Sequence, residues 1–146
     1  MVNALFEGER WEFSREVIQE RFVFDGFYFP ELHHDKLGQG YYSQFRYKID
    51  NSLILLARYE RFYADKDNRK GDGLEEASGG LLPSYSGYQY DITLGVSYDL
   101  AKNFRLQFEY HNIEGIARLT PVVLPNLAIN NTKRSDLWAI QLMYWF

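Results

Sequence analysis

Tyr88-Gln-Tyr-Asp-Ile-Thr-Leu-Gly-Val-Ser-Tyr-Asp-Leu100 decides the fold of this chain. Tyr88, Tyr90, Ile92, Leu94, Val96, Tyr98 and Leu100 alternate without a break with Gln89, Asp91, Thr93, Gly95, Ser97 and Asp99. Successive side chains of a strand point to opposite faces, so this segment is one strand with an apolar and a polar face. Aromatics stand at both ends of the apolar face and aliphatics in the middle. A strand that crosses a bilayer needs about nine to eleven residues, and aromatic girdles mark its two interfaces. Residues 88–100 meet both conditions.

The same unit recurs on either side. Residues 99–103 form a short polar turn, and residues 104–114 form the next strand. In that strand Phe104, Leu106, Phe108 and Tyr110 face one way, and Arg105, Gln107, Glu109 and His111 the other. Residues 115–134 hold Pro121, Pro125 and an Asn130-Asn131-Thr132-Lys133-Arg134 run, which are loop signals. A terminal strand then carries Trp138, Ile140, Leu142, Tyr144 and Phe146 on one face. Upstream, residues 40–50 set Tyr41, Phe45, Tyr47 and Ile49 against Gln44, Arg46 and Lys48, and Asp50-Asn51-Ser52 makes a turn. Residues 53–63 return with Leu55, Ala57 and Tyr59 opposite Arg58 and Glu60, although Leu53-Ile54-Leu55-Leu56 leaves their facing open. Residues 64–87 read as a long polar loop.

Residues 1–39 carry weaker periodicity. One strand over 6–18 is expected, with Trp11 and Phe13 outward and Arg10, Glu12, Ser14 and Glu16 inward; a helix over 11–20 is the alternative. The aromatic runs Phe22-Val-Phe and Phe27-Tyr-Phe favour extended structure. Residues 27–38, with Pro30 and His33-His34-Asp35, read as loop. The expectation is therefore all-β: an antiparallel up-and-down transmembrane β-barrel region spanning 1–146, with about six strands visible. Long and short connections alternate, as in outer-membrane barrels, which places the C-terminus on the short-turn, periplasmic side.

Composition narrows the function classes. Aromatics reach 18%, and Tyr and Trp favour membrane–water interfaces. The net charge of −4 argues against a nucleic-acid partner. No cysteine is present, which excludes disulfides and thiolate chemistry. No run approaches the about eighteen apolar residues of a membrane helix. Mean hydropathy of −0.41 does not argue against a barrel, whose strands dilute their own hydropathy. The first residues lack the basic start and apolar core of a signal peptide. Single-chain bacterial barrels begin at about eight strands. Three accounts of the six-strand count follow: the C-terminal portion of a larger barrel, which fits the missing signal best, a hairpin hidden before residue 40, or strands pooled from several copies.

The terminal stripe Trp138, Ile140, Leu142, Tyr144 and Phe146 resembles the last strand of Gram-negative outer-membrane β-barrels. In that family a terminal Phe behind alternating aromatic and aliphatic residues is the assembly signal. Residues 40–49 and 56–67, and residues 90–100 followed by 105–111, resemble late strands of porin-like proteins related to the phosphate-selective porins. The resemblance implies a monomeric or trimeric channel for small solutes, with outer-membrane lipids and the barrel-assembly machinery as partners. The anion-binding lysine ladder of the phosphate porins has no counterpart here.

The candidate lumen face comprises Gln44, Arg46, Lys48, Arg58, Glu60, Gln89, Asp91, Thr93, Arg105, Gln107, Glu109 and His111. Such a wall either tunes which ions pass or simply stabilises a polar interior; Arg46, Lys48, Arg58 and Arg105 would carry any anion preference. His33-His34-Asp35 is read as loop rather than metal site, because adjacent side chains on an extended chain point apart. His111 with Glu109 lacks the nucleophile and oxyanion hole of a hydrolase. The Asp/Asn spacing over 65–73 lacks the closing Glu of a calcium loop. No catalytic residue, metal or cofactor is expected. The expected function is passive diffusion through a porin-like channel or its wall. The alternatives are a small non-conducting outer-membrane barrel, and a soluble β-barrel with an apolar ligand inside.

Overall fold

The computed structural model describes residues 1–25, 33–118 and 132–146. Among these residues seven strands follow in chain order: β1 (Val2–Glu7), β2 (Trp11–Asp25), β3 (His33–Lys48), β4 (Leu53–Tyr63), β5 (Tyr88–Ala101), β6 (Phe104–Gly115) and β7 (Arg134–Tyr144). They form one sheet in the order β1-β2-β3-β4-β5-β6-β7, each antiparallel to the next. The fold is all-β and up-and-down. The sheet is not closed, and β1 and β7 are its edges.

Two expectations for the N-terminal third are corrected. Residues 6–18 are not one strand but a hairpin, turning at residues 8–10, where Gly8 N–H donates to the Trp11 carbonyl. Phe6 lies opposite Phe13 across it, with ring centroids 6.3 Å apart, so the apolar face continues through the turn. The strand count therefore rises from six to seven. Residues 33–38 are likewise not loop: they open β3 and pair with β2 out to Asp25↔His33. The expected Phe27-Tyr-Phe strand signal and Pro30 lie outside the described residues.

Connections alternate in length. Short turns occupy residues 8–10, 49–52 and 102–103; residues 26–32, 64–87 and 116–133 join strands at the other end. Asp50 makes the second short turn, its Oδ1 accepting the backbone N–H of Ser52 (2.7 Å) and Leu53 (2.8 Å). The third follows a register shift between Asp99 and Ala101, a bulge that twists the strand into its turn. Trp145 N–H donates to the Asn103 carbonyl, which places the end of the chain among these short turns.

The long loop over 64–87 carries one short helix, α1 (Asp72–Ala77), and a 3-10 turn over Ser84–Gly87. It folds back on β3: Lys66 N–H donates to the Leu37 carbonyl, and the Arg69 guanidinium bonds Gln39 Oε1 at 3.1 Å beside the Tyr63 ring. At the same end the chain leaves β6 through Gly115, at φ +88, where a Cβ would overlap the Tyr88 carbonyl oxygen. That turn folds Ile116 under Tyr85 and sends Arg118 back over the sheet.

The two bonds from Ser52 and Leu53 hold the Asp50 carboxyl below the usual carboxylate range. A depressed folded-state value contributes stability that is present above the unfolded value, about 4, and is lost as pH falls through the folded one. Asp50→Ala is expected to lower the urea midpoint of unfolding at neutral pH. The difference from the parent chain should shrink below about pH 4.

A polar face held by ion pairs

Alternation in register sorts the side chains of all seven strands into two sets. One row across the sheet reads Phe6, Phe13, Phe45, Ala57, Leu94, Tyr110, Trp138; the row beside it reads Leu5, Ser14, Gln44, Arg58, Thr93, His111, Leu137. Every candidate lumen residue falls on the second face: Gln44, Arg46 and Lys48 from β3, Arg58 and Glu60 from β4, Asp91 from β5, Arg105, Gln107, Glu109 and His111 from β6. The four-leucine-type run of β4 resolves too. Leu53 and Leu55 join the apolar face, while Ile54 and Leu56 stand among Lys48, Ser97, Arg46 and Gly95 on the polar one.

The polar face is the shielded face. Thr93 is 0% exposed and Asp91 9%, whereas their neighbours Ile92 and Leu94 on the other face are 51% and 55% exposed. Among the described residues the buried hydrophobic side chains are only Tyr63 and Ile116. A water-soluble sheet buries its apolar alternates and solvates its polar ones. This sheet does the reverse.

Shielding requires that the polar groups satisfy one another. Arg58 is the hub: its Nη2 donates to Glu109 Oε2 (3.3 Å) and Thr93 Oγ1 (3.4 Å). Its Nε lies 2.9 Å from Glu60 Oε1 but out of line for a hydrogen bond, so that contact is electrostatic only. Thr93 Oγ1 donates to Asp91 Oδ1 at 3.1 Å, and His111 Nδ1 lies 3.0 Å from Asp91 Oδ2 and 3.1 Å from Thr93. His111 Nε2 is 3.4 Å from Glu109, which also accepts from Gln107 Nε2 at 2.6 Å. Three strands, β4, β5 and β6, thus meet over Thr93. Near the short turns Arg105 makes a two-pronged pair with Asp99 at 2.5 and 3.0 Å. Arg46 is 3.8 Å from Glu12 on β2. Gln44 and Lys48 share the face without joining the network.

Two participants escape sequence reading. Asp99 reads as a turn residue, although its spacing to Arg105 across a short turn is the signal of a cross-strand pair. Arg118 lies in a loop by every sequence criterion, yet its Nη1 reaches Glu60 Oε2 at 2.5 Å and its guanidinium stands 5.4 Å from the Phe62 ring. Nothing in the spacing announces that contact; it depends on the left-handed turn at Gly115.

Within the network His111 is engaged with Asp91 and Thr93. Among the described residues no three His, Cys, Asp or Glu side chains converge as a metal site, and the acidic loop residues Asp65 and Asp67 are paired with Lys36 and Lys66.

The apolar face is organised in its own way. Aromatics cluster toward the long-loop end as Tyr41, Tyr63, Tyr88 and Tyr90, with ring centroids 5.1 to 6.4 Å apart. At the short-turn end Phe104, Tyr144 and Phe146 stand 6.1 and 6.3 Å apart. Between them lie Leu55, Leu94, Val96, Leu106, Ile140 and Leu142. Comparison with protein-family models, with curated proteins and with solved structures finds no match to this chain.

Arg58 neutralises two carboxylates on a face where little water reaches it. Arg58→Ala leaves Glu60 and Glu109 facing each other, and a loss of about 2 kcal/mol of folding free energy is expected. Arg58→Ala combined with Glu109→Gln should recover part of that loss in urea titrations. A double-variant loss equal to the sum of the losses from Arg58→Ala and Glu109→Gln alone would show that the pair is not coupled.

Proposed function

We propose that the chain forms the wall of a porin-like channel in a Gram-negative outer membrane, across which small solutes and ions diffuse passively. The observation that carries this reading is the inverted burial of the sheet: shielded Thr93 and Asp91 against exposed Ile92, Leu94 and Ile140, the last 74% exposed. An apolar face of this extent, presented by every strand, calls for lipid around it. Its length fits. From Tyr90 to Leu100 the apolar alternates of β5 rise about 34 Å along the strand, which a tilt of about 40° reduces to about 26 Å. The apolar band of outer-membrane barrels is about 25 Å tall, with aromatic girdles at both interfaces.

In this setting the sheet is a transmembrane barrel wall, its polar face is the lumen, and the short turns lie on the periplasmic side. Its partners are the outer-membrane lipids and, through the stripe Trp138, Ile140, Leu142, Tyr144 and Phe146, the barrel-assembly machinery. Assembly of several copies, as in trimeric porins, is compatible with this wall. No cofactor or metal is invoked, and the protein is not an enzyme in this reading.

One observation favours a second reading, a small non-conducting outer-membrane barrel. The Arg58 network and the Arg118–Glu60 pair fill the polar face with side chains that bind one another rather than a solute. A soluble barrel around an apolar ligand would need the opposite placement, with the apolar alternates on the shielded face.

Conductance separates the first two readings. Full chain incorporated into planar bilayers is expected to give ohmic steps; a sealed bilayer at protein densities that yield folded, heat-modifiable protein would favour the non-conducting barrel. Lipid contact is tested independently by Leu94→Arg. A charge at the middle of the lipid-facing band should cost about 2–4 kcal/mol in vesicles. If the same substitution is neutral in vesicles, the lipid-facing assignment of this strand is wrong. For the stripe, Phe146→Ala is expected to reduce the heat-modifiable protein recovered from outer membranes, and undiminished recovery would remove its role in assembly.

A further inference from the structure

The polar face carries an imbalance of charge that the ion pairs make sharper. Register places Glu7 from β1 and Glu12, Glu16 and Glu20 from β2 on this face. Glu7 stands directly opposite Glu12, and like charges in that position destabilise the pairing. Glu16 shares a row with Glu60 and Asp91, two strands and three strands away.

The cations of the same face are nearly all engaged. Arg58 is held by Glu60 and Glu109, Arg105 by Asp99, Arg118 by Glu60, Lys36 by Asp65 at 3.2 Å and Arg46 by Glu12 at 3.8 Å. Among the described residues Lys48 is the one strand cation of this face without an ion-pair partner, whereas Glu7, Glu16 and Glu20 have none either. The carboxylate of Glu16 fronts a cleft of about 540 Å³ that Leu5, Tyr42, Glu60 and Arg118 also line.

We propose that this face favours cations over anions. The inference rests on the channel reading above and names the solute class that such a channel would prefer. A closed pair presents a dipole whose field falls off quickly, so the four arginines contribute little to the potential felt by a passing ion. The unpaired carboxylates contribute fully. In a wall backed by lipid their field is focused into the aqueous side and raises the local concentration of counter-ions. Glu16 and Glu20 lie four residues apart on β2, about 13 Å along the strand, close to the screening length of about 10 Å in 0.1 M salt. Their potentials therefore overlap at low salt.

Of Arg46, Lys48, Arg58 and Arg105, the residues that would carry any anion preference, the three arginines are ion-paired. Their charges are spent within the wall, and Lys48 alone opposes the carboxylates.

The test is the reversal potential of the full chain in planar bilayers of phosphatidylcholine, whose headgroup carries no net charge, under a KCl gradient. A potassium-to-chloride permeability ratio above one is expected at about 0.1 M mean salt, moving toward one at about 1 M as screening shortens. Glu7→Gln, Glu16→Gln and Glu20→Gln together should lower the ratio to one or below, and Lys48→Gln should raise it. The two variants move it in opposite directions, so a general loss of folding cannot imitate the result. A ratio at or below one in the unaltered chain overturns the inference while leaving the channel reading standing, as does a ratio that neither set of substitutions changes. Absence of conductance in folded protein overturns the channel reading, and this inference with it.

Discussion

Everything in this sheet depends on a side-chain period of two held in register across six strand pairs. A slip of one residue at any pair would carry a whole strand's polar set to the apolar face. Arg58 would then stand among Ala57's neighbours Phe45 and Leu94, away from Glu109 and Thr93. The register is pinned locally at the short-turn end. Asp50 closes its turn with two backbone bonds, and the Asp99–Ala101 bulge fixes how β5 passes into β6. Electrostatics then checks the result, because only the correct register brings Arg58, Thr93, Glu109 and His111 within bonding distance.

The balance of forces differs from that of a domain in water. Hydrophobic burial normally supplies the main favourable contribution to folding, about 1.5–3 kcal/mol for each fully buried large apolar side chain. Here Tyr63 and Ile116 are the only buried hydrophobic residues described, and the large apolar side chains stand outward. What the sheet itself supplies is a hydrogen-bonded backbone ladder and a connected polar network. Such a network specifies geometry strongly, since an incomplete one leaves shielded charges without partners. The apolar face contributes its share only when something apolar covers it.

Much of this architecture is legible in the sequence, and the reasons it fades are physical. Residues 88–100 and 104–111 alternate cleanly because each of their faces meets a single environment, and their facing is as the pattern predicts. The alternation blurs at Ile54 and Leu56, where apolar side chains stand on the polar face between small or long neighbours such as Gly95 and Arg46. The first hairpin is hard to read because Gly8-Glu-Arg10 is a turn without Pro or Asn; Phe6 and Phe13, seven residues apart, are out of phase for one continuous strand and share a face only across that turn. His33 to Gly38 looked like loop from its composition, yet pairing with the long β2 overrides local preference. The site was readable as a face but not as a network. Alternation identifies which residues share a side; only folded geometry shows that Arg58 bridges to Glu109 across β5, or that Gly115 returns Arg118 to Glu60.

The number of strands carries a consequence of its own. In an up-and-down sheet the direction reverses at every step, so β1 and β7, six steps apart, run the same way. Their free edges are therefore not matched for antiparallel pairing with each other. Closing the sheet on itself would create one parallel seam, Val2–Glu7 beside Arg134–Tyr144, with evenly spaced and slanted hydrogen bonds in place of the alternating pairs found everywhere else. A closure that keeps every neighbour antiparallel must instead interpose strands in odd number. The parity of seven makes the seam between the two edges chemically distinct from the six junctions that the chain already contains.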